Sequence, residues 1–332
     1  MHSGRRFTLK EVLYWTRRDL YIFIVVAAVP TALYYFFQIK WLIIPWVAIA
    51  LVGTASAFIV GFKNTQTYNR LWEARQIWGS IINSSRTWGM QVKDTVRSDR
   101  ADIQLLIYRH LAWVTALRFQ LRESKIWENM SLKSNREYAR FYKVPEWESK
   151  LEDELKLLLS AEEFQYVLSK KNRATHLIGM QSSHLAQLKD GKALSELDFI
   201  ELERTLAALY EHQGKAERIK NFPYPRQFAT INQMFIRLFV TMLPFGILQE
   251  IAKITEAVGP LFIWATVPCS VIVAWVFYVM ERIGEATENP FEGGANDVPI
   301  TSISRTIEID LREMLDENNI PSPLVPINNI LM

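Results

Sequence analysis

The sequence predicts an all-α membrane protein, with four transmembrane helices and a large helical region outside the bilayer, and three observations predict it. Four stretches of the 332-residue chain are almost free of charge: Leu20 to Ile39, Trp41 to Phe62, Gln227 to Gln249 and Ala257 to Met280. Each is long enough to cross a bilayer, which takes roughly 20 apolar helical residues. The middle of the chain, from Lys63 to Arg226, is of another kind: its longest charge-free run, Ala174 to Leu188, still carries His176, Gln181, Ser182, Ser183, His184 and Gln187. In segments of that middle such as Asp102 to Leu121 and Leu151 to Leu168, apolar residues recur three and four positions apart with charges between them, the pattern of amphipathic helices, and strand alternation is hard to find.

From the N-terminus, a basic leader (Arg5, Arg6, Lys10, Arg17, Arg18) precedes the first apolar run. That run is longer than a signal core, lacks a small-x-small cleavage pattern and leads straight into a second span, so it reads as a membrane helix. Basic residues crowd the leader and the segment after Phe62 (Lys63, Arg70, Arg75, Arg86), whereas the link between the first two spans holds only Lys40. The positive-inside rule then places both termini and the middle in the cytoplasm of a cell carrying the protein in its inner or plasma membrane. The expected organisation is a cytoplasmic N-terminal segment (1–19), two spans (20–62), a cytoplasmic helical region (63–226), two further spans (227–281) and a cytoplasmic C-terminal segment (282–332). Outer loops are expected near Lys40 and around Glu250 to Glu256. Phe222-Pro223-Tyr224-Pro225 ends a helix just before the third span. After it come a helix from Ser302 to Glu317 and, beyond Asn319, an extended tail able to wrap a neighbouring subunit.

Several function classes fall away. A net charge of +3 is too small to argue for nucleic acid or another polyanion. Cys269 has no disulfide partner. There is no Gly-rich phosphate loop, H-E-x-x-H, Cys cluster or G-x-S-x-G elbow. His176 and His184 stand roughly 12 Å apart along a helix, too far for one metal ion, and read as structural. No catalytic residue, metal ligand or cofactor is expected, the protein is not read as an enzyme, and transport is the economical reading.

The second span carries the most informative pattern. Gly53, Ala55, Ser56, Ala57 and Gly61 make a small surface that lets helices approach closely. Thr54, Phe58 and Phe62 recur every fourth residue and line one stripe. Around an axis shared by several copies, that stripe makes rings of hydroxyl and phenyl groups, a constriction that gates by dewetting. Facing lipid or packing within the bundle is the other reading of the same spacing.

At the end of the stripe and past it come Gly61 to Asn64, Tyr68 to Arg70, Glu73 to Gly79 and Ser85-Arg86, a series that resembles the bestrophin family, in particular its bacterial branch. Bacterial members carry a similar series to Gly61-Phe62-Lys63-Asn64, Tyr68-Asn69-Arg70, Glu73-Ala74-Arg75-Gln76-Ile77-Trp78-Gly79 and Ser85-Arg86. The likeness continues at Met242-Leu243-Pro244-Phe245, Glu288-Asn289-Pro290-Phe291, Asn296-Asp297-Val298-Pro299 and Ile307-Glu308-Ile309-Asp310. The resemblance implies a homopentamer in the lipid bilayer with one axial pore passing small monovalent ions. It places the narrow neck at Thr54, Phe58 and Phe62, where Thr54 departs from the usual aliphatic residue and wets the outer ring. It also implies a second constriction within Leu194 to Leu202, near Asp198; an acidic ring there attracts cations, and the alternative is that Asp198 simply faces solvent. Anion conduction is typical of the animal branch, while bacterial relatives include cation-conducting members.

In animal relatives an acidic run after the fourth span binds Ca²⁺. The equivalent segment here, Asn289 to Asp297, holds only Glu292 and Asp297 as carboxylates, too few for a tight Ca²⁺ site. Asn296 and Asp297 are expected to cap the helix that begins near Thr301 or to anchor the C-terminal segment. Arg70 and Glu73, three apart, are expected to pair along their helix, and Glu73, Arg75 and Arg86 to brace subunits. Arg237, inside the third apolar stretch, is expected to snorkel to the cytoplasmic surface. Two rivals remain. A secondary transporter wants broken helices and charged residues near the midplane of paired repeats, and four spans without an internal repeat argue against it; a membrane-anchored scaffold or sensor has no pore.

Overall fold

The computed structural model describes residues 1–332 and is all-helical. The first span lies in helix α1 (Leu9–Phe37), which starts well before its apolar run. Thr8 explains why: its hydroxyl accepts from the Glu11 backbone N–H while the Glu11 carboxylate takes the Thr8 N–H at 2.6 Å, closing a capping box. The basic residues Lys10, Arg17 and Arg18 are therefore carried on the lower turns of α1 rather than in a separate leader.

Helix α2 (Trp46–Thr95) runs for 50 residues, about 75 Å by the helical rise. It leaves the apolar stretch at Phe62 and continues unbroken into the charged body, because no proline interrupts it. There it meets α3 (Arg100–Arg122), the short helices α4 (Lys133–Tyr138), α5 (Pro145–Glu148), α6 (Leu151–Leu155) and α7 (Ala161–Leu168), then α8 (Arg173–Asp190) and α9 (Glu196–Asn221). The single helix expected over Leu151 to Leu168 is thus two; Ser160 caps a new start, with its hydroxyl and the Glu163 carboxylate forming a second capping box. After the paired prolines, α10 (Arg226–Val258) and α11 (Thr266–Ala286) supply the last two apolar helices, and α12 (Ile300–Met314) follows.

The end of the third span also differs from expectation. Glu250 to Glu256 is helix rather than loop: past Pro244, α10 has no breaker until Gly259, at φ +120, and a Lys253–Glu250 pair at 2.8 Å supports the last turns. The chain end returns to its own first residues. The Met1 amine donates to the Leu331 carbonyl at 2.5 Å, Leu331 N–H donates to the Met1 carbonyl at 2.9 Å, and Ile330 and Met332 bury against Tyr142 and Val144.

Four helices, α1, α2 with its preceding turn, α10, and α11 with its preceding turn, are long and apolar enough to cross a membrane. In that part α10 and α11 pack on α2, and α1 packs on α11. Their common core has only eight buried residues, against 38 in the body built from lower α2, α3, α6, α7, α8, α9 and α12, so most of the span surface is left for lipid or for another chain. The close approach of α10 to α2 depends on Gly53, where an added Cβ would lie 2.6 Å from Phe239 Cε2. Gly53→Val is expected to cost about 1–3 kcal/mol by overpacking, read as a lower melting temperature of the solubilised protein. An unchanged melting temperature would show that the two helices can part without cost.

Candidate functional site

The upper half of α2 has two unlike faces. Gly53, Ser56, Val60, Lys63 and Thr67 are buried, spaced three and four apart, and turned toward α10 and α11. Thr54, Phe58 and Phe62 lie on another side and are exposed, Phe58 by 79% and Phe62 by 48%. The small residues divide accordingly: Gly53 and Ser56 are at the packed face, while Ala55, Ala57 and Gly61 are exposed, so they do not form the one surface expected of them. The Thr54 hydroxyl donates back to the Ala50 carbonyl at 2.9 Å, which leaves its oxygen lone pairs free for water. The Phe62 ring lies 6.4 Å from that of Phe228, the only aromatic contact either phenylalanine makes. Below them the exposed strip turns polar at Thr65, Gln66 and Asn69, with Tyr68 and Trp72 stacked beside it at 6.4 Å.

One residue past Phe62, a buried ion pair holds the helix in this rotation. Lys63 Nζ meets Glu281 Oε1 at 2.5 Å, and Asn232 Nδ2 donates to the other carboxylate oxygen. Asn64 Nδ2 donates to the Met280 carbonyl at 3.0 Å, and the approach is close because residue 284 is glycine, where a Cβ would fall 2.2 Å from Asn64 Oδ1. A buried charge pair is tolerated only when both members are satisfied, and three helices supply this one.

Arg70 and Glu73 do not pair with each other. Arg70 donates to the Ile219 and Phe222 carbonyls, which the end of α9 leaves without helical partners, and Glu73 pairs with Arg218. Arg86 Nε meets Asp310 of α12 at 2.7 Å within the same chain, and Arg75 is exposed. Trp78 is fully buried in the body's core, Gly79 is half-buried with open space beside it, and Pro244 is buried inside α10. Arg237 is exposed on α10. Asp198 stands in the first turn of α9, where its carboxylate takes the Ser195 hydroxyl at 2.6 Å and its own N–H donates to Ser195 Oγ at 3.1 Å. His184 Nδ1 accepts from Arg109 at 2.9 Å, so its Nε2–H faces Asp102 at 3.4 Å; burial and the Arg109 guanidinium hold this imidazole below its ordinary pKa. His176 meets the Tyr166 hydroxyl at 3.4 Å.

Asn296 and Asp297 do not cap α12, whose N-cap position is Pro299. Asp297 is an internal anchor: it takes the Gly293 N–H at 2.7 Å and Arg122 Nη1 at 3.2 Å, closing a turn in which Gly293 sits at φ +92. Around it lies a buried network that sequence reasoning did not find. Arg118 Nη1 reaches Glu146 at 2.5 Å, Arg122 Nε lies 3.6 Å from the same carboxylate, and Lys220 pairs with Glu128. Burial alone would raise Glu146, but Arg122 and Arg118 with the Thr301 hydroxyl hold its pKa below the ordinary range. Asn289 and Phe291 are buried in the same loop with Pro290 between them.

Glu292 has the opposite environment. Burial and the neighbouring Asp297 push its carboxyl well above the ordinary value of 4.5. The folded chain therefore binds a proton there that the unfolded chain releases, and stability falls as pH rises from about 4.5 through the folded-state value. Glu292→Gln should remove this loss: relative to wild type, its melting temperature is expected to rise as pH increases across that window. Parallel melting curves of the two proteins over the whole range would refute the shift.

The sequence profile of the bacterial and fungal bestrophin proteins matches residues 8–313. The chain belongs to this family. The voltage-dependent anion channel-forming protein YneE of Escherichia coli K12 is 28% identical over 277 residues, covering 83% of this chain and 79% of its own. A voltage-dependent anion channel-forming protein of Ralstonia nicotianae is 27% identical over 270 residues, 81% of this chain and 76% of its own. The crystal structure of a bacterial bestrophin homologue from Klebsiella pneumoniae superposes with a TM-score of 0.77 at 21% identity, over 91% of this chain and 99% of that one. The likeness to the solved bestrophin confirms the fold, and the family is one of channels rather than enzymes.

Proposed function

We propose that this bestrophin forms a homopentameric channel in the inner or plasma membrane, with both termini and the helical middle in the cytoplasm, passing small monovalent anions passively through an axial pore. The observation that carries the reading is the exposure of Phe58 on a helix whose other face is packed and pinned by the Lys63–Glu281 pair. Five copies around an axis turn Thr54, Phe58 and Phe62 into three rings. Phenyl rings present a positive edge to the axis, which favours anions, and the relatives from Escherichia coli and Ralstonia are named as anion channel-forming proteins.

The test is the particle mass of the purified protein together with its reversal potential in planar bilayers under a KCl gradient. A pentamer whose potential moves toward the chloride equilibrium supports the proposal. A shift toward the potassium equilibrium would instead assign selectivity to the cytoplasmic carboxylates, Asp198 first among them. A pentamer that passes no ions would favour the scaffold reading. The Thr54 ring is expected to matter in one direction: Thr54→Val keeps the side-chain volume but removes the hydroxyl, lengthens the dry segment and lowers conductance. Equal single-channel currents would take Thr54 off the axis.

A further inference from the structure

Where α1 begins and α11 ends, the chain encloses a cavity of about 280 Å³ away from the pore stripe. It is bounded by the first turns of α1, the last turns of α11, the segment around α4 and the loop 292–296. Four aromatic side chains line it, Phe7, Trp15, Tyr138 and Tyr142, the last two with ring centroids 6.4 Å apart. Its only charged lining groups are two carboxyls, Glu11 and Glu292; no lysine, arginine or histidine reaches it.

The two carboxyls differ in what they have left to offer. Glu11 is spent on the capping box, taking the Thr8 N–H and hydroxyl at 2.6 and 2.7 Å. Glu292, only 4% exposed, receives the Asn129 backbone N–H at 2.7 Å and Asn289 Nδ2 at 3.3 Å, both on Oε2. Its Oε1 takes no hydrogen bond from the protein, in a loop where the neighbouring carboxylate, Asp297, already has Arg122 and the Gly293 N–H. That oxygen opens onto the cavity, where it is free to accept from a ligand donor.

We propose that this cavity is a binding site for a small organic ammonium with an apolar, preferably aromatic, body, its N–H groups donating to Glu292 Oε1 and its body lying among the aromatic rings. Aromatic faces attract cations, an ammonium that displaces the proton held on Glu292 supplies the charge-assisted hydrogen bond that Oε1 lacks, and the nearest basic groups, Arg282 on the Trp15 ring and His2 on the Phe7 ring, lie outside the lining. The size falls at the small end of known ligand pockets. Carboxylates and phosphates are excluded by the same charge balance.

Calorimetric titration of the full-length assembled protein tests this with three probes of one shape: 2-phenylethylammonium, neutral 2-phenylethanol and anionic phenylacetate. The ammonium is expected to bind at least about tenfold more tightly than the alcohol, the worth of one charge-assisted hydrogen bond, and phenylacetate not at all. Glu292→Gln should bring the ammonium down to the level of the alcohol. Ala286→Phe, which fills the cavity from α11, should abolish both, and it keeps the test decisive should Glu292→Gln fail to assemble. Equal affinity for ammonium and alcohol, no ammonium binding, or binding that survives Ala286→Phe would each overturn the site. Repeating the titration in nanodiscs with and without phosphatidylethanolamine separates the two sources of such a group: competition assigns the cavity to a lipid amine, and its absence to a soluble one.

Discussion

Phe58→Ala is expected to enlarge the single-channel conductance while leaving the protein assembled. Phe58 is 79% exposed, so removing it deletes little intrachain packing. Alanine is the best helix former, and α2 keeps its buried face and the Lys63–Glu281 pair. The side chain's contribution is thus confined to whatever faces it in the assembly. If that is a narrow dry ring, truncation widens and wets it, and each barrier reduction of about 1.4 kcal/mol raises the current about tenfold. The paired measurements are single-channel current and melting temperature: a large rise in the first with little change in the second is the expected signature. Unchanged current in a correctly assembled channel would take Phe58 off the conduction path. Phe62→Ala is the less clean experiment, since Phe62 also touches Phe228.

Arg122→Met should produce the largest loss of stability. The Arg122 side chain is 1% exposed and stands between the carboxylates of Asp297 and Glu146, each also 1% exposed. Methionine fills much of the volume but leaves two buried carboxylates short of a cation. Breaking one partner from a buried ion pair costs about 3–5 kcal/mol, which corresponds to a fall in melting temperature of order 10 °C. The control is Lys143→Met, whose pair with Glu148 is 63% and 55% exposed and worth less than about 1 kcal/mol. Comparable shifts for the two variants would remove the buried network from any account of stability.

The spans and the stripe on α2 were legible because both are written in short-range periodicity. A run of apolar residues must be helical in lipid, and a four-residue spacing fixes a face whatever the rest of the chain does. The rotation of that face was less legible: Gly53 and Ala55 look alike in sequence, and only Phe239, 186 positions away, decides which of them is covered. Long-range charge pairing was harder still. Arg70 and Glu73 suit an i,i+3 pair, yet the orphan carbonyls at the end of α9 compete for Arg70 and win. Arg118 and Arg122 share one face of a largely apolar α3 four residues apart, the one signal of buried partners that the sequence offers, and it does not name Glu146 or Asp297. The end of α10 is hard to place from sequence because its charged residues suggest a loop, although helix continues until the backbone meets a residue that stops it, here Gly259.

The length of α2 has a mechanical consequence. Near its lower end, α12 lies against it at Gly89, where an added Cβ would strike Leu311 Cδ2 at 2.4 Å. Phe58 sits on the same helix about 45 Å away by the helical rise, with no proline hinge between them to absorb a bend. Were the helical body to tilt together with the lower half of α2 that its core holds, the helix would turn about the Lys63–Glu281 pin as a lever. Its lower arm, from Lys63 to Gly89, is several times longer than the upper one, from Lys63 to Phe58, so any displacement at Gly89 would reach the phenyl ring reduced, and any force increased, in the same ratio.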